Sequence, residues 1–212
     1  MANIRTPRDD IDRAGEILRD GGLIAFPTET YYGLAADPFN ESALRRLFTL
    51  KGRSTVKPVL VLLPSRAAIS RMTGVVPDIA EQLMDRFWPG PLTMVFPARQ
   101  GLSALLTGGT GTVGVRLSPH PVARALLQAF GGPLTATSAN RSGGRAAVTE
   151  GEVRQIFGSE VDMVLSGGRT PGGKPSTLIG FTGNSVECIR EGCIPYPEIV
   201  NALQFTTDQR SD

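Results

Sequence analysis

The chain is poor in lysine, histidine and cysteine. Only three of its 22 basic residues are lysines, and its 212 residues include one histidine and two cysteines. Cys188 and Cys193 are too few for a disulfide framework, and even with His120 they do not supply four zinc ligands. We interpret both as reduced thiols of a cytosolic protein. The scarcity of histidine also disfavours covalent catalysis by a Ser-His-Asp or Cys-His arrangement.

Long apolar runs are also absent. No segment approaches the ~20 consecutive apolar residues that span a bilayer. Residues 2–12 are charged and lack the apolar core of a secretory signal. The net charge of +2 is too small for a protein that coats nucleic acid, so any basic surface must be local. These absences predict a soluble, cytoplasmic protein with no membrane contact.

Glycine and proline are abundant, with 25 and 16 copies, which predicts many tight turns and functional residues in loops. The hydrophobic fraction of 41% is enough for a substantial core. Helical and strand patterns alternate without strict order. This favours a three-layer fold of the α/β or α+β class, with a twisted mixed β-sheet and helices on both faces. Residues 1–205 are interpreted as one domain and residues 206–212 as a polar tail.

Periodicity and capping signals predict the positions of the regular elements. Helices are predicted at 7–20, 41–51, 79–87, 121–130, 150–157 and 197–203, with Thr6 as the first cap. Strands are predicted at 23–26, 59–63, 92–96, 112–117, 134–137, 161–165, 177–181 and 186–189. The segment 27–34 is expected to be a loop that follows the first strand.

Two glycine-rich segments match nucleotide-binding patterns in the wrong context. Residues 109–114 read G-x-G-x-x-G, but Val113 and Val115 alternate as in a strand, whereas a dinucleotide fingerprint opens a helix. Residues 168–174 match part of a P-loop, but Pro175 stands where the magnesium-binding Ser or Thr is needed. Neither segment predicts a standard nucleotide site, although the second could still form an anion nest of backbone N–H groups.

Lys51, Arg53 and Lys57 form a cationic cluster where the second predicted helix ends. A cation at a helix C-terminus interacts favourably with the helix dipole. Three cations exceed that requirement, so a polyphosphate ligand is the sharper hypothesis. The alternative is a solvated basic loop that binds nothing.

Polar side chains follow two of the predicted strands. Residues 28–32 carry two hydroxyls, a carboxylate and two phenols, a set that predicts hydrogen bonds to a small polar ligand. Ser138 and Asn140 follow the strand 134–137 and could bond phosphate, ribose or base edges. The alternative for both segments is a surface turn, since residues such as Ser and Asn turn the chain locally.

Arg116 lies in an otherwise apolar strand, where an unpaired guanidinium is costly to bury. We therefore expect a carboxylate of the substrate or of the protein beside it. His120, at a predicted helix start, is interpreted as structural. With no covalent catalyst in view, the chemistry of the site is expected to depend on positioning and charge neutralisation.

Taken together, these segments resemble the YrdC-like family of threonylcarbamoyl-AMP synthases, in its single-domain form. The motifs, in order, are Pro27-Thr28-Glu29-Thr30-x-Tyr32-Gly33-Leu34, Lys51-x-Arg53, Trp88-Pro89-Gly90-Pro91-Leu92-Thr93, Val115-Arg116, Ser138-Ala139-Asn140-x-Ser142-Gly143 and Ser176-Thr177. The family fold is a twisted mixed sheet with a basic concave face, which agrees with the fold expected from the pattern.

The resemblance implies ATP-dependent formation of threonylcarbamoyl-AMP from L-threonine and bicarbonate or CO2, with release of pyrophosphate. This is a nucleotidyltransferase reaction that serves tRNA modification. A separate transferase complex then passes the threonylcarbamoyl group to adenosine in tRNA. Contact of the basic face with tRNA or double-stranded RNA is a further expectation.

The resemblance also implies the site residues. Those expected to bind ATP are Lys51, Arg53, Lys57, Thr112, Ser138, Asn140 and Arg190. Those expected to bind threonine are Thr30, Arg116 and Ser176. Lys51 and Arg53 are expected to be catalytic, by offsetting charge on the leaving pyrophosphate, and Arg116 to pair with the amino-acid carboxylate. The chain departs from the family at Leu62, near the place where many relatives carry a histidine that faces the amino acid, and at Ser118, where proline is usual.

No carboxylate cage for a metal is visible, so no protein metal site is predicted. Mg²⁺ is expected to bridge the phosphates of ATP, held by ATP oxygens and water, with Glu29 as the nearest candidate carboxylate.

Two rival functions stay open. One is a non-catalytic RNA-binding module that uses the basic concavity, whose affinity would fall steeply with salt. The other is a different ATP-dependent carbamoyl-handling ligase.

Overall fold

A computed structural model describes residues 7–183 and 185–207 of the chain. The α-helices in these ranges are α1 (Arg8–Arg19), α2 (Glu41–Lys51), α3 (Asp78–Phe87), α4 (Ala104–Thr107), α5 (Pro121–Phe130), α6 (Glu150–Phe157) and α7 (Tyr196–Thr207). Short 3-10 helices cover Arg66–Arg71 and Gly158–Glu160. None of the helices in the described ranges has the length and apolar character needed to cross a membrane.

The strands form two mixed sheets. They are β1 (Ile24–Pro27), β2 (Tyr32–Ala35), β3 (Val61–Leu62), β4 (Leu92–Pro97), β5 (Thr112–Arg116), β6 (Leu134–Thr135), β7 (Thr137–Ser138), β8 (Met163–Val164), β9 (Thr177–Thr182) and β10 (Ser185–Arg190). One sheet has the order β7-β2-β1-β8 and the other β10-β9-β4-β5-β3-β6. In each, parallel and antiparallel pairs coexist: β1 is antiparallel to β2 but parallel to β8, and β4 is antiparallel to β5 but parallel to β9.

The chain passes from one sheet to the other at Ala136. β6 pairs with β3 in the larger sheet, whereas β7 pairs with β2 in the smaller one. Thr135 anchors the crossing, because its N–H donates to the Ala36 carbonyl at 3.0 Å and its hydroxyl accepts the Ala36 N–H at 2.8 Å. The predicted single strand 134–137 is therefore two short strands in two sheets.

The helices pack on the sheets through two hydrophobic clusters. One joins α1 and α5 to β1 and contains Leu18, Phe26 and Leu126. The larger one collects buried residues of α2, α3, α6 and α7, such as Leu47 and Leu83. Helices thus cover both sides of the sheets, which confirms the predicted mixed-sheet fold.

The end of α2 positions the cationic segment. Asn40 caps the helix start by accepting the N–H groups of Ser42 and Ala43 at 3.0 and 3.1 Å. Gly52 ends the helix with φ of 57°, a left-handed conformation that favours glycine. The chain therefore turns sharply between Lys51 and Arg53, and the two cations point to different surroundings.

The structure differs from the sequence predictions at several elements. β2 was not expected, because this strand is buried along its whole length between β1 and β7 and has no alternating polarity. α4 has only four residues, too few to show a period. α7 runs to Thr207, so the first two residues of the predicted tail are helical. The predicted cap Thr6 and the rest of the tail, 208–212, lie outside the described residues.

Candidate functional site

A cavity of about 530 Å³ is lined by residues of both sheets, the turn between β1 and β2, and the loop that follows α2. Eight of the ten predicted site residues line it: Thr30, Arg53, Lys57, Thr112, Arg116, Ser138, Ser176 and Arg190. Lys51 and Asn140 are not among the lining residues. Segments that are far apart in sequence therefore meet at one place, as the motif pattern predicts.

β5 forms the floor of the cavity. Thr112, Gly114 and Arg116 line it, whereas Val113 and Val115 between them are buried in the hydrophobic core. This follows from the two-residue period of a strand, which sends alternate side chains to opposite faces. Gly114 leaves open space between the threonine and the arginine, which is where a ligand can lie against the strand.

The cavity is electropositive. Four cationic side chains line it, namely Arg53, Lys57, Arg116 and Arg190, and none of the lining residues in the described part of the chain is acidic. Burial lowers the pKa of Arg53, Arg116 and Arg190 below the usual value for arginine, a sign that their charges lack full solvation. An anionic ligand would restore that stabilisation, which agrees with the polyphosphate hypothesis.

Lys51 turns away from the cavity. Its ammonium donates to the Ser138 carbonyl, to the Asn140 carbonyl at 2.8 Å and to the Asn140 side-chain oxygen at 3.2 Å. The side chain is 2% exposed. Burial, together with the nearby charge of Arg53, lowers the pKa of Lys51 to about 7. Lys51 therefore organises the loop 138–140, and direct contact of its ammonium with ATP stays a prediction.

Asn140 is bonded within the same loop. Its side-chain oxygen accepts from Lys51 and from the Ser138 hydroxyl at 2.7 Å, and its amide donates to the Arg141 and Gly144 carbonyls at 2.9 and 2.7 Å. The amide group thus has partners on both its oxygen and its nitrogen. Ser138 spends its only hydroxyl hydrogen on Asn140, so it offers lone pairs to a ligand in the cavity.

Arg53 shapes the loop that follows α2. Its Nη2 donates to the Pro58 carbonyl at 2.8 Å, and its Nε approaches the Lys57 carbonyl at 3.4 Å. These bonds curl the loop around the guanidinium and bring Lys57 to the cavity wall. Of the three cations predicted to face phosphate, Arg53 and Lys57 therefore line the cavity, and Lys51 does not.

The turn between β1 and β2 presents Thr30 to the cavity. Thr28 donates its hydroxyl hydrogen to the Tyr31 carbonyl at 2.7 Å, and its oxygen lies 3.1 Å from that of Thr30. Since Thr28 has only one such hydrogen, Thr30 is the donor in the second contact. The Thr30 hydroxyl then offers lone pairs to a donor group of a ligand, such as an amine or a hydroxyl.

Ser176 belongs to a hydrogen-bonded group that includes one residue absent from the predicted site. The Ser176 hydroxyl lies 2.9 Å from that of Thr93, and Arg190 donates to the Ser176 carbonyl at 2.8 Å. Thr93 is 2% exposed and lines the cavity. Thr93 is the last residue of the motif that begins at Trp88. This motif was the feature of the sequence from which Thr93 could have been predicted as a site residue.

Arg116 meets a carboxylate of the protein. Its Nε lies 3.2 Å from Oε1 of Glu29, so the second of the two predicted kinds of partner is present. Leu62, by contrast, does not line the cavity; it is buried in the cluster of α1 and α5, whereas Leu60, just before β3, lines the cavity. The histidine contact that the resemblance implies near this position is therefore not supplied by Leu62.

The remaining candidates have structural roles. His120 caps α5 by accepting the Val122 N–H at 3.3 Å, and burial lowers the pKa of its imidazole. Gly172 of the P-loop-like segment donates its N–H to the Thr30 carbonyl at 2.7 Å, which ties this loop to the cavity wall.

Cys188 and Cys193 are free thiols. The described residues contain no cluster of three or more His, Cys, Asp or Glu side chains that could hold a metal.

Comparison with known proteins identifies the family to which the chain belongs. The family model described as "Telomere recombination", which covers Sua5, YciO and YrdC proteins, matches residues 16–192. The chain belongs to this family. Membership in the Sua5/YciO/YrdC family confirms the resemblance predicted from the motifs.

Two relatives in the Sua5/YciO/YrdC family are named threonylcarbamoyl-AMP synthase. The protein of Pyrococcus abyssi is 37% identical over 190 residues, which cover 90% of this chain and 56% of the relative. The protein of Thiobacillus denitrificans is 43% identical over 169 residues, which cover 80% of this chain and 89% of the relative. The chain thus spans little more than half of the first relative and most of the second.

A solved structure of this family has the same fold. Sua5 of P. abyssi, crystallised with L-threonine, is 36% identical and gives a TM-score of 0.90. The match covers 93% of this chain and 58% of the Sua5 chain. The order of helices and the mixed sheets described above are therefore those of the Sua5/YciO/YrdC fold.

Proposed function

We propose that this chain is an L-threonylcarbamoyladenylate synthase, a nucleotidyltransferase that joins L-threonine, bicarbonate or CO2, and ATP and releases pyrophosphate. The observation that carries the proposal is the cavity, where a cationic loop and a strand-borne arginine face the same space. Two relatives with this name support the reaction, and a Sua5 structure with L-threonine supports the amino acid.

The ATP subsite is assigned to Arg53, Lys57, Thr112, Ser138 and Arg190, which line the cavity. The cations offset the charge that accumulates on the pyrophosphate as it leaves, a contribution that is largest in the transition state. Ser138 offers lone pairs, which suits a ribose hydroxyl or an adenine amine rather than a phosphate oxygen. Lys51 and Asn140 support this subsite by holding the loop that carries Ser138.

The amino-acid subsite is assigned to Thr30, Arg116 and Ser176. Arg116 pairs with the carboxylate, and the lone pairs of Thr30 accept from the amine. The neutral amine attacks the carbon of CO2 and loses a proton to solvent water, which gives a carbamate. A carbamate oxygen then attacks the α-phosphorus as the bond to pyrophosphate breaks. Placing both substrates in one cavity supplies the orientation that this two-step reaction needs.

Mg²⁺ fits the proposal only as a companion of ATP. The described residues offer no carboxylate cage, so the ion would be bound by phosphate oxygens and water. We further place the protein in the cytoplasm, where a separate transferase complex would consume the adenylate to modify tRNA.

The test is mass spectrometry of the products formed from ATP, L-threonine and bicarbonate. Threonylcarbamoyl-AMP that forms only when all three are present supports the proposal. Pyrophosphate release that needs ATP and bicarbonate but accepts a different co-substrate would assign the chain to another carbamoyl-handling ligase. No turnover with any amino acid would leave a binding module as the function.

A further inference from the structure

One buried ion pair beside the cavity is incompletely bonded. Among the described residues, Glu29 Oε1 and Arg116 Nε are the buried side-chain atoms without a hydrogen-bond partner, and they lie 3.2 Å apart. Opposite charges at this distance attract strongly in a poorly solvated site. The N–H direction nevertheless misses the oxygen, so the pair is held by charge rather than by a directed hydrogen bond.

Glu29 is clamped from its other side. Ser118 Oγ donates to Oε2 of Glu29 and accepts the N–H of His120 at 3.2 Å. Ser118 is fully buried and follows Arg116 by two residues. The segment 116–118 thus carries both Arg116 and the serine that holds Glu29, the carboxylate paired with Arg116. Glu29 cannot leave Arg116 without breaking this bond.

Glu29 approaches Arg116 from outside the cavity. Thr28 and Thr30 line the cavity, whereas Glu29 between them does not. Arg116 lines the cavity, and its side chain is only 3% exposed. A ligand can therefore meet the guanidinium from the cavity while Glu29 holds it from behind.

We infer that Glu29, clamped by Ser118, is the positioning residue that holds the Arg116 guanidinium ready for the carboxylate of the amino-acid substrate. The inference rests on the proposed function. A guanidinium buried to this extent needs a counter-charge, and without Glu29 it would shift toward another partner or solvent. The amino-acid carboxylate would then lose its contact, while ATP, which is bound by other cations, would keep its own.

The experiment measures binding of L-threonine and of ATP to the purified full chain by calorimetry. Glu29→Gln preserves the shape and removes the charge, and Ser118→Ala removes the clamp and keeps the charge. Glu29→Gln is expected to weaken L-threonine binding about tenfold or more, and Ser118→Ala by a smaller factor in the same direction. ATP affinity should change less than about twofold in both. Glu187→Gln, an exposed glutamate bonded to Thr182, is the matched control and should change neither.

L-threoninamide separates positioning from general damage to the site, because it lacks the carboxylate. It should bind the wild type and Glu29→Gln equally, whereas a disrupted cavity would weaken both ligands alike. Unchanged or tighter L-threonine binding in Glu29→Gln overturns the inference. So does a lower kcat with unchanged affinities, which would assign Glu29 to proton transfer instead.

Two outcomes distinguish this inference from the proposed function. If the wild type does not bind L-threonine, the proposed function fails and the inference fails with it. If the wild type binds L-threonine and Glu29→Gln binds it equally well, only the inference fails. Should Glu29→Gln not fold, Ser118→Ala carries the same test.

Discussion

Lys51 and Arg53 lie two residues apart and differ in what they contact. The Lys51 ammonium is buried against the carbonyls of the loop 138–140, whereas the Arg53 guanidinium lines the cavity. Gly52 between them has a left-handed backbone, which turns the chain at the end of α2. The two cations therefore call for different measurements: catalysis for Arg53 and stability for Lys51.

Arg53→Ala is expected to lower L-threonine-dependent pyrophosphate release at least about tenfold, or about 1.4 kcal/mol of transition-state stabilisation. The reason is the loss of a cavity cation that offsets charge on the leaving group. Arg45→Ala is the control, since Arg45 lies on the exposed face of α2 and pairs with Glu41 at 2.9 Å. Wild-type turnover in Arg53→Ala would remove this residue from the phosphate subsite.

Lys51→Met is expected to lower the free energy of unfolding, because two carbonyls and one side-chain oxygen lose a buried donor, at about 1–3 kcal/mol for each unsatisfied group. The effect should depend on pH. The pKa of Lys51 is lowered to about 7 in the folded chain from 10.5, so between these values the unfolded chain binds more protons. Wild-type stability relative to Lys51→Met should therefore rise from pH 7 to pH 9.

Urea unfolding of both proteins at the two pH values measures this difference, and other titrating groups cancel because both proteins share them. A stability difference that stays constant between pH 7 and pH 9 would mean that the loop carbonyls keep Lys51 charged. In that case the carbonyl hydrogen bonds outweigh the desolvation of the ammonium.

Residue identities in the cavity were largely predictable, whereas side-chain directions were not. Residue chemistry and the family resemblance together predicted eight of the residues that line the cavity, of which Thr112, Ser176 and Arg190 came from the resemblance alone. Lys51 and Asn140 could not be placed, because their direction depends on hydrogen bonds between α2 and a loop about ninety residues later. Glu29 and Arg116 were each singled out, but their contact depends on how the first turn packs against β5.

At the scale of elements, β5 contributes side chains both to the hydrophobic core and to the lining of the cavity. Its alternation places two valines in the core and Thr112, Gly114 and Arg116 at the cavity. A Cβ at Gly114 would lie 3.4 Å from the Thr93 methyl group and 3.8 Å from that of Val95. A larger side chain therefore fits against the sheet but fills the cavity floor.

Gly114→Val is expected to weaken binding of ATP and L-threonine by about tenfold or more, since the added methyl groups occupy the space between the two subsites. The midpoint of thermal unfolding should change little, because no backbone contact is violated. Gly74→Val is the matched control, as a Cβ there meets none of the described residues within 4 Å. Calorimetric titration checks the affinities, and full binding by Gly114→Val would show that ligands do not lie on β5.

Elements with a strong local signal were predicted correctly, and those defined by their neighbours were not. α2 is marked by Asn40 and Gly52 at its two ends, and its predicted boundaries are confirmed. β2 was not predicted because it is buried on both faces and has no alternating pattern. The division of residues 134–138 into β6 and β7 was not predicted because so short a segment has no sequence pattern that indicates a change of sheet. Tertiary pairing decides both cases.

At the scale of the whole molecule, the positive charge is concentrated rather than abundant. The net charge is +2, yet four cations line one cavity. Such a surface suits a compact anion more than a long polymer. The salt dependence of function separates these two kinds of ligand.

Turnover of ATP with L-threonine is expected to fall less than about threefold between 50 and 200 mM salt, whereas a backbone-binding protein with several phosphate contacts loses about 1,000-fold or more in affinity. The measurement is pyrophosphate release at subsaturating ATP over a salt series. A filter-binding series with tRNA serves as the comparison. Tight tRNA binding with a steep salt slope, and no turnover, would favour the RNA-binding module.

The chain passes at Ala136 from the larger sheet, which holds β6, to the smaller sheet, which holds β7. Ser138 belongs to the smaller sheet and Arg116 to the larger, so occupants of the cavity touch both. If the proposed function holds, a separation of the two sheets would break the contacts of both substrates. We therefore expect amide hydrogen exchange in the two sheets to slow together when ATP and L-threonine bind.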